Sequence, residues 1–189
     1  MTDIVLRVEL LDVEPRIWRR FVVPAQINLR RLHDVIQIVM GWEGEHLYEF
    51  EHDGRRYGEL DPFGDLGMDD VAQAVNLKLC TLISRLADSE FRYLYDFGDS
   101  WEHRIVVEET SLEMSAPCPR LLDGAMACPP EDIGGALGYA SLKAALAGDA
   151  DEHGEMLLEV IGSDFAPNEF DKSRAAAELV PIQKRFRRL

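Results

Sequence analysis

The chain has 189 residues, of which 20 are Lys or Arg and 35 are Asp or Glu, so its formal net charge at neutral pH is −15. A chain of this length can bury a sizeable hydrophobic core without a disulfide or a structural metal. Its acidity argues against sequence-independent nucleic-acid binding, which depends on attraction between cationic side chains and phosphates. Three cysteines without close spacing, and no apolar run near the start, predict a reduced, cytoplasmic protein without a membrane span.

The charge is unevenly distributed along the chain. Residues 41–70 hold ten acids against two arginines, and residues 123–171 hold eleven acids against Lys143 alone. Residues 172–189 reverse the sign, with six bases against Glu178. We therefore expect most cations to pair with the protein's own acidic surface, and we expect an external cation or a basic partner to bind at the acidic segments.

The first predicted elements are a β-hairpin and a helix. Apolar residues alternate from Ile4 to Leu10, and a β-branched and aromatic run from Arg16 to Val23 predicts the second strand, which Pro24 ends. Asn28 is a predicted N-cap for a helix whose apolar residues form one stripe, and Gly41 is its predicted end.

A second hairpin is predicted over residues 46–59. Its turn is Asp53-Gly54, a dipeptide typical of two-residue turns with positive φ at both positions. That turn sets the register, and the expected cross-strand pairs are Glu51 with Arg56 and Phe50 with Tyr57.

The middle of the chain alternates between loops and strands. Residues 60–70 predict an acidic loop, residues 75–79 a short strand, and Thr81 a cap for a short helix that reaches Leu86. A third hairpin is predicted from the alternating residues 91–97 and 101–107, joined by a turn at residues 98–100.

The last third of the chain predicts helices. They are expected over Tyr139–Ala147, over Glu152–Ile161 and from Lys172 onward, with a kink or a restart at Pro181. Because strands precede helices without βαβ alternation, the predicted class is α+β with a largely antiparallel sheet. We expect one domain made of a strand-rich core (1–110), a Pro/Gly-rich loop segment (111–138) and a helical C-terminal part (139–189).

Four ordered segments of the chain resemble the plasmid pRiA4b ORF-3-like family. They are VEPRIWRRFVVPA (13–25), LHDVIQIVMGWEGEHLYEF (32–50), YLYDFGDSWEHRIVVEE (93–109) and PRLLDGAMACPPEDIGG (119–135), followed by GYASL (138–142). The resemblance implies a compact α+β domain whose hairpin, helix and further strands follow an order similar to the β-grasp arrangement. It implies no assigned biochemical role. Members often have a histidine where this chain has Tyr48 and a cysteine where it has Ile133, so an inherited metal site would have fewer ligands here.

Six residues form a candidate site for a divalent metal. Two carboxylates and one or two imidazoles that converge on one pocket can hold such an ion and leave positions open for water, as metal-assisted hydrolysis requires. The candidate ligands are His46, Asp96, Asp99, His103, Glu131 and Asp132, and the candidate catalytic residues among them are Asp96, Asp99 and His103.

For each of these residues a structural interpretation is favoured over metal binding or catalysis. His103 alternates with Trp101 and Ile105, and His46 alternates with Tyr48, which is typical of histidines on a core-facing strand. Asp96 and Asp99 flank Gly98, where aspartates commonly cap turn amides, and the PPED acids Glu131 and Asp132 can do the same in a rigid turn.

Two further sets of residues have open interpretations. Arg16, Arg19 and Arg20 can clamp an anion or contact a partner, or they can pair with acids of the same chain. Cys118 and Cys128 are interpreted as structural thiols, a shared metal site or a redox pair.

The sequence leaves three functions open and does not decide whether the chain is an enzyme. The favoured one is a non-catalytic interaction or accessory domain with a protein partner, because its distinctive residues are mostly aromatic, Gly and Pro. The second is a metal-dependent hydrolase or phosphoryl-processing enzyme that uses Asp96, Asp99 and His103. The third is a nucleic-acid-associated protein of mobile elements, which the net charge disfavours.

Overall fold

The computed structural model describes residues 2–59, 70–113 and 117–186, with only the backbone described at 111–113 and 184–186. The described residues form one eight-stranded sheet in the order β5-β4-β3-β6-β7-β1-β2-β8, in which β4 and β5 are parallel and all other neighbours antiparallel. The strands are β1 (Thr2–Leu10), β2 (Trp18–Pro24), β3 (Tyr48–His52), β4 (Arg55–Gly58), β5 (Val71–Gln73), β6 (Glu90–Tyr95), β7 (Trp101–Glu113) and β8 (Arg120–Ala125). The helices are α1 (Leu29–Met40), α2 (Leu79–Ile83), α3 (Gly135–Leu146), α4 (Glu152–Ile161) and α5 (Lys172–Phe186). The predicted α+β class is therefore confirmed.

The first hairpin and the first helix form as predicted. The Asn28 side chain accepts a hydrogen bond from the Arg31 amide, which satisfies one of the free donors at the start of α1. Gly41 ends the helix with φ +99°, a left-handed conformation that glycine adopts at little cost. The apolar stripe of α1 joins the main hydrophobic core together with alternate residues of the central strands.

The second hairpin has the predicted register. Asp53 and Gly54 both have positive φ, as the two-residue turn requires. Glu51 lies opposite Arg56, and Phe50 lies opposite Tyr57.

Two predictions in the middle of the chain are wrong. Residues 75–79 do not form a strand: the strand is β5, a 3-10 turn follows over Ala74–Asn76, and α2 begins at Leu79 after Lys78 instead of at Thr81. The reason is tertiary, because the Leu79 amide bonds to the Ile27 carbonyl and its side chain is fully buried. The predicted acidic loop over 60–70 lies outside the described residues, apart from Asp70.

The C-terminal third differs from the prediction in three details. The segment 111–138 is not only a loop, because β8 lies within it and pairs with β2, and its flanking Pro and Gly residues conceal that strand in the sequence. α3 begins four residues earlier than expected, at Gly135, while α4 has the predicted bounds. α5 continues through Pro181 without a restart.

Candidate metal centre

The site lies where three segments of the chain meet at one end of the central strands. They are the loop between α1 and β3, the turn that follows β6, and residues 129–135 before α3. Asp96 is the first residue of the β6–β7 turn and has φ +56°. Its amide donates to the Leu47 carbonyl at 2.9 Å, and its Oδ1 accepts from the Gly98 amide at 2.9 Å. The second oxygen of the carboxylate is thereby directed toward His46.

Three of the other five candidate ligands surround the His46 imidazole. Its Nε2 lies 3.3 Å from Asp132 Oδ1, 3.8 Å from Asp96 Oδ2 and 3.9 Å from Glu131 Oε2. One ligand atom each from His46, Asp96 and Asp132 lies within 4.8 Å of the other two. Ligands bound at about 2.0–2.2 Å from a divalent ion stand roughly 3–3.5 Å apart, so small side-chain movements would suffice to coordinate one.

Glu131 is held by one oxygen and presents the other to the cluster. Its Oε1 accepts from the Glu43 amide and from the Tyr95 hydroxyl, both at 3.0 Å. Its Oε2 is buried and accepts no hydrogen bond from any described residue. Burial raises the pKa of Glu131, because it disfavours the charged carboxylate.

Asp99 contacts the backbone of the PPED turn instead of facing His46. Its Oδ2 accepts from the Ile133 amide at 3.1 Å and its Oδ1 from the Gly134 amide at 3.2 Å. Gly135 packs so closely on the Asp99 carbonyl that a Cβ there would lie 2.4 Å from the oxygen. Asp99 therefore fixes the position of the segment that carries Asp132.

His103 lies in the core and not in the cluster. It is 0% exposed, its ring packs against Tyr93 and against Trp42, and its Nδ1 lies 3.3 Å from the Tyr93 carbonyl oxygen. Burial lowers the pKa of His103 to about 4, so the ring is neutral at pH 7.

The three candidate arginines all contact groups of their own chain. Arg16 pairs with Glu9 at 3.4 Å, and Arg20 pairs with Glu108 at 2.5 Å. Arg19 is 1% exposed, and burial lowers its pKa to about 10. Its guanidinium donates to four backbone carbonyls, those of Trp18, Val39, Ala125 and Met126.

The two neighbouring cysteines do not meet. Cys118 packs with Val5 and Val22 in a small cluster, whereas Cys128 packs against the main core. Both are free thiols, and burial raises the pKa of each.

Three contacts in the scaffold of the site were not predicted from the sequence. The Trp42 indole donates to the Pro129 carbonyl at 3.0 Å, and Glu43 and Tyr95 hold Glu131. The sequence signal for them was weak, since an aromatic residue after a helix end and one on an alternating strand both predict only core packing.

These features define a single-sheet α+β domain with a histidine–carboxylate cluster at one end of its central strands. The chain belongs to the plasmid pRiA4b ORF-3-like protein family, whose model matches residues 2–174. It is 41% identical over 180 residues to an uncharacterised protein, y4hQ, of Sinorhizobium fredii (strain NBRC 101917 / NGR234), an alignment that covers 95% of this chain and 88% of the relative. It is also similar to the crystal structure of a protein of unknown function, MM3350 from Methanosarcina mazei Go1, with a TM-score of 0.79 and 31% identity over 91% of this chain and 96% of that one.

These comparisons confirm the family resemblance and attach no biochemical role to it. Among the described helices, none combines the length and the apolar character needed to cross a bilayer.

Proposed function

We propose that this chain is a metal-dependent hydrolase whose divalent ion is bound by His46, Asp96 and Asp132. The observation that carries the proposal is the convergence of these three ligand atoms within 4.8 Å. An imidazole with carboxylates suits first-row ions such as Zn²⁺ and Mn²⁺. Three protein ligands leave coordination positions for water, and the ion would lower the pKa of that water enough to make it a nucleophile near neutral pH.

Hydrogen bonds join the three segments that carry the cluster without the help of an ion. This supports a functional metal site over a structural one. The Trp42–Pro129 and Glu43–Glu131 hydrogen bonds join the α1–β3 loop to the PPED turn, and Asp99 joins that turn to the β6–β7 turn. Structural ions in proteins usually have four protein ligands and no solvent access. Here the side chains of His46 and Asp132 are 28% and 75% exposed, so solvent reaches the ligand atoms.

The charge balance of the cluster also favours a cation. No Lys or Arg within the described part of the chain forms an ion pair with Asp96, Glu131 or Asp132. The buried carboxylate of Glu9, by contrast, has the guanidinium groups of Arg7, Arg16 and Arg104 around it. A divalent ion would offset the repulsion among these three carboxylates.

Metal titration of chelator-treated protein tests the proposal. We expect one equivalent of Zn²⁺ or Mn²⁺ to bind by calorimetry and to raise the melting temperature, and Asp96→Asn to weaken binding by about 100-fold or more, the loss of one of three ligands. Asp88→Asn, which changes an exposed aspartate outside the cluster, is the matched control and should bind like the wild type. Equal affinity of both variants would show that the ion binds elsewhere.

Turnover has to be tested separately from binding. The metal-loaded protein should hydrolyse at least one member of a panel of ester, amide and phosphoester substrates, and Asp96→Asn should lose that activity while Asp88→Asn keeps it. A protein that binds the ion at His46 but shows no Asp96-dependent hydrolysis would contradict the hydrolase and leave only a metal-binding domain.

The second candidate function is a non-catalytic interaction domain, which exposed apolar side chains on the C-terminal helices favour. Leu137 is 84% exposed, Val160 78% and Met156 55%, and exposed side chains of this kind are common at interaction surfaces. The two candidates separate experimentally, since Asp96→Asn would abolish hydrolysis but keep partner binding, and Val160→Ser would do the reverse.

Nothing in the described part of the chain favours nucleic-acid binding. Arg16, Arg19 and Arg20 are engaged internally, and Lys172 and Arg174 at the start of the basic C-terminal region pair with Asp123 and Glu178. For the location we propose the cytoplasm, which the three free thiols support.

A further inference from the structure

The outward side of α4 combines apolar exposure with unpaired negative charge. We call this surface, formed by Glu152, Glu155, Met156, Glu159 and Val160, the α4 face; all five side chains are exposed. Met156 and Val160 lie one helical turn apart and are therefore neighbours on the helix surface. None of the three glutamates forms an ion pair with another described residue.

Two residues of the α4 face are unfavourable for the stability of a single copy of the chain. Glu159 lies in the last turn of α4, where the helix macrodipole disfavours an anion. Val160 exposes most of a β-branched apolar side chain that contributes neither burial nor good helix propensity. Residues that break local rules without a compensating contact in the monomer point to a role outside it.

The charge of the α4 face defines its occupant. A matching segment must carry several cations and a few apolar side chains. This chain contains such a segment at residues 184–189, whose sequence is KRFRRL, with four cations together with Phe186 and Leu189. It is the densest basic run in the chain, and the α4 face lies in the stretch 123–171 that contains eleven acids and one base.

Packing within one chain favours a second copy as the source of that segment. α4 packs against α3, whereas α5 packs against α1 and β8. Near the end of α5, Gln183 donates to the carbonyl of Pro119, which precedes β8. The main contacts of the described part of α5 are thus with elements other than α3 and α4.

We propose that two copies of this chain form a two-fold dimer in which residues 184–189 of each copy bind the α4 face of the other. The proposal rests on the interaction-domain candidate and is independent of the metal centre. A reciprocal exchange buries the same contact twice and closes the assembly, so it gives a dimer and not a filament. Because each contact is small and depends on charge, the dimer should be weak, with Kd on the order of 10 µM, and sensitive to salt.

A charge-swap experiment tests the pairing directly. The first variant replaces Glu152, Glu155 and Glu159 by Lys, and the second replaces Lys184, Arg185, Arg187 and Arg188 by Glu. Each variant alone should be monomeric in analytical ultracentrifugation, because its two surfaces then carry the same sign of charge. An equimolar mixture should recover the dimer, since both reciprocal contacts are then complementary. Reversal of three exposed acids outside α4, Asp88, Asp164 and Glu169, is the matched control and should keep the wild-type dimer.

Two further measurements sharpen the test. Val160→Ser should raise the dimer Kd by about tenfold through the loss of apolar burial, and an increase from about 50 mM to about 500 mM NaCl should dissociate the wild-type dimer. A wild type that remains monomeric at low salt overturns the proposal. So does a dimer that persists in the variant in which the four cations of residues 184–188 are replaced by Glu. The interaction-domain function is tested separately by cross-linking in cell extract. It fails if wild-type protein, diluted until it is monomeric, and Val160→Ser give identical cross-linking patterns.

Discussion

His46 and His103 differ in solvent exposure and in the charge around them, although the sequence pattern allows both residues to be metal ligands or core histidines. His46 lies at a solvent-accessible point with three carboxylates within 4 Å of its Nε2. His103 has no exposed surface and lies among aromatic rings, with its Nδ1 close to the Tyr93 carbonyl. One environment favours a bound cation, and the other favours a neutral ring.

The difference between the two histidines follows from where their strands begin. His103 is the third residue of β7, so it shares the inward face with Trp101 and Ile105 as the alternation predicts. His46 precedes Tyr48, the first residue of β3, and belongs to the loop after α1. Alternation along a sequence therefore indicates a common face only for residues inside one strand.

The largest effect that separates the two regions is expected in stability. His103→Ala would leave a cavity in the core and should lower the free energy of unfolding by about 3 kcal/mol. His46→Ala should lower it by less than about 1 kcal/mol in metal-free protein, because the side chain is partly exposed and its contacts to carboxylates are all 3.3 Å or longer. Urea denaturation in the presence of a chelator measures both. Similar costs for the two variants would mean that His46 is as important to the fold as His103.

Much of the fold was predictable because its signals are local. The Asn28 cap, the Gly41 stop and the Asp53-Gly54 turn each depend on the conformational preference of one or two residues. β8 was missed because its flanking Pro and Gly residues resemble a loop, and only pairing with β2 makes it a strand. α2 was misplaced because the burial of Leu79, and not a cap residue, decides where it begins.

The candidate site was predictable in composition but not in geometry. The sequence named His46, Asp96, Glu131 and Asp132, and the structure brings these four together. It could not show that Asp99 would bind amides 34 and 35 residues away, because that contact depends on how the β6–β7 turn meets the PPED turn. Convergence of distant segments is a property of the tertiary fold.

A smaller effect is expected when the support of the cluster is loosened while its ligands remain. Asp99→Asn keeps the shape of the side chain but leaves one oxygen to accept from the Ile133 and Gly134 amides. The turn that carries Asp132 should become less well positioned, and metal affinity should fall by about tenfold, the lower end for residues that orient ligands. Calorimetric titration measures this change, and Glu102→Gln, an exposed charge change on β7, is the control. Loss of about 100-fold or more would instead identify Asp99 as a ligand.

The smallest effect concerns acid stability and the core histidine. Burial lowers the pKa of His103 to about 4, below its ordinary value of 6.5, so the unfolded chain binds a proton between these values while the native chain does not. Stability therefore rises with pH in this window, and acidification from about pH 7 to pH 5.5 should cost about 1 kcal/mol through His103 alone. His103→Leu should lose about that much less stability than the wild type over the same interval.

Ile105→Val perturbs the same strand without a titratable group and should keep the wild-type pH slope. If His103→Leu kept that slope too, the native chain would have to take up the proton below pH 6.5, either on the buried ring or through opening of the core. The contrast between the two histidines would then disappear.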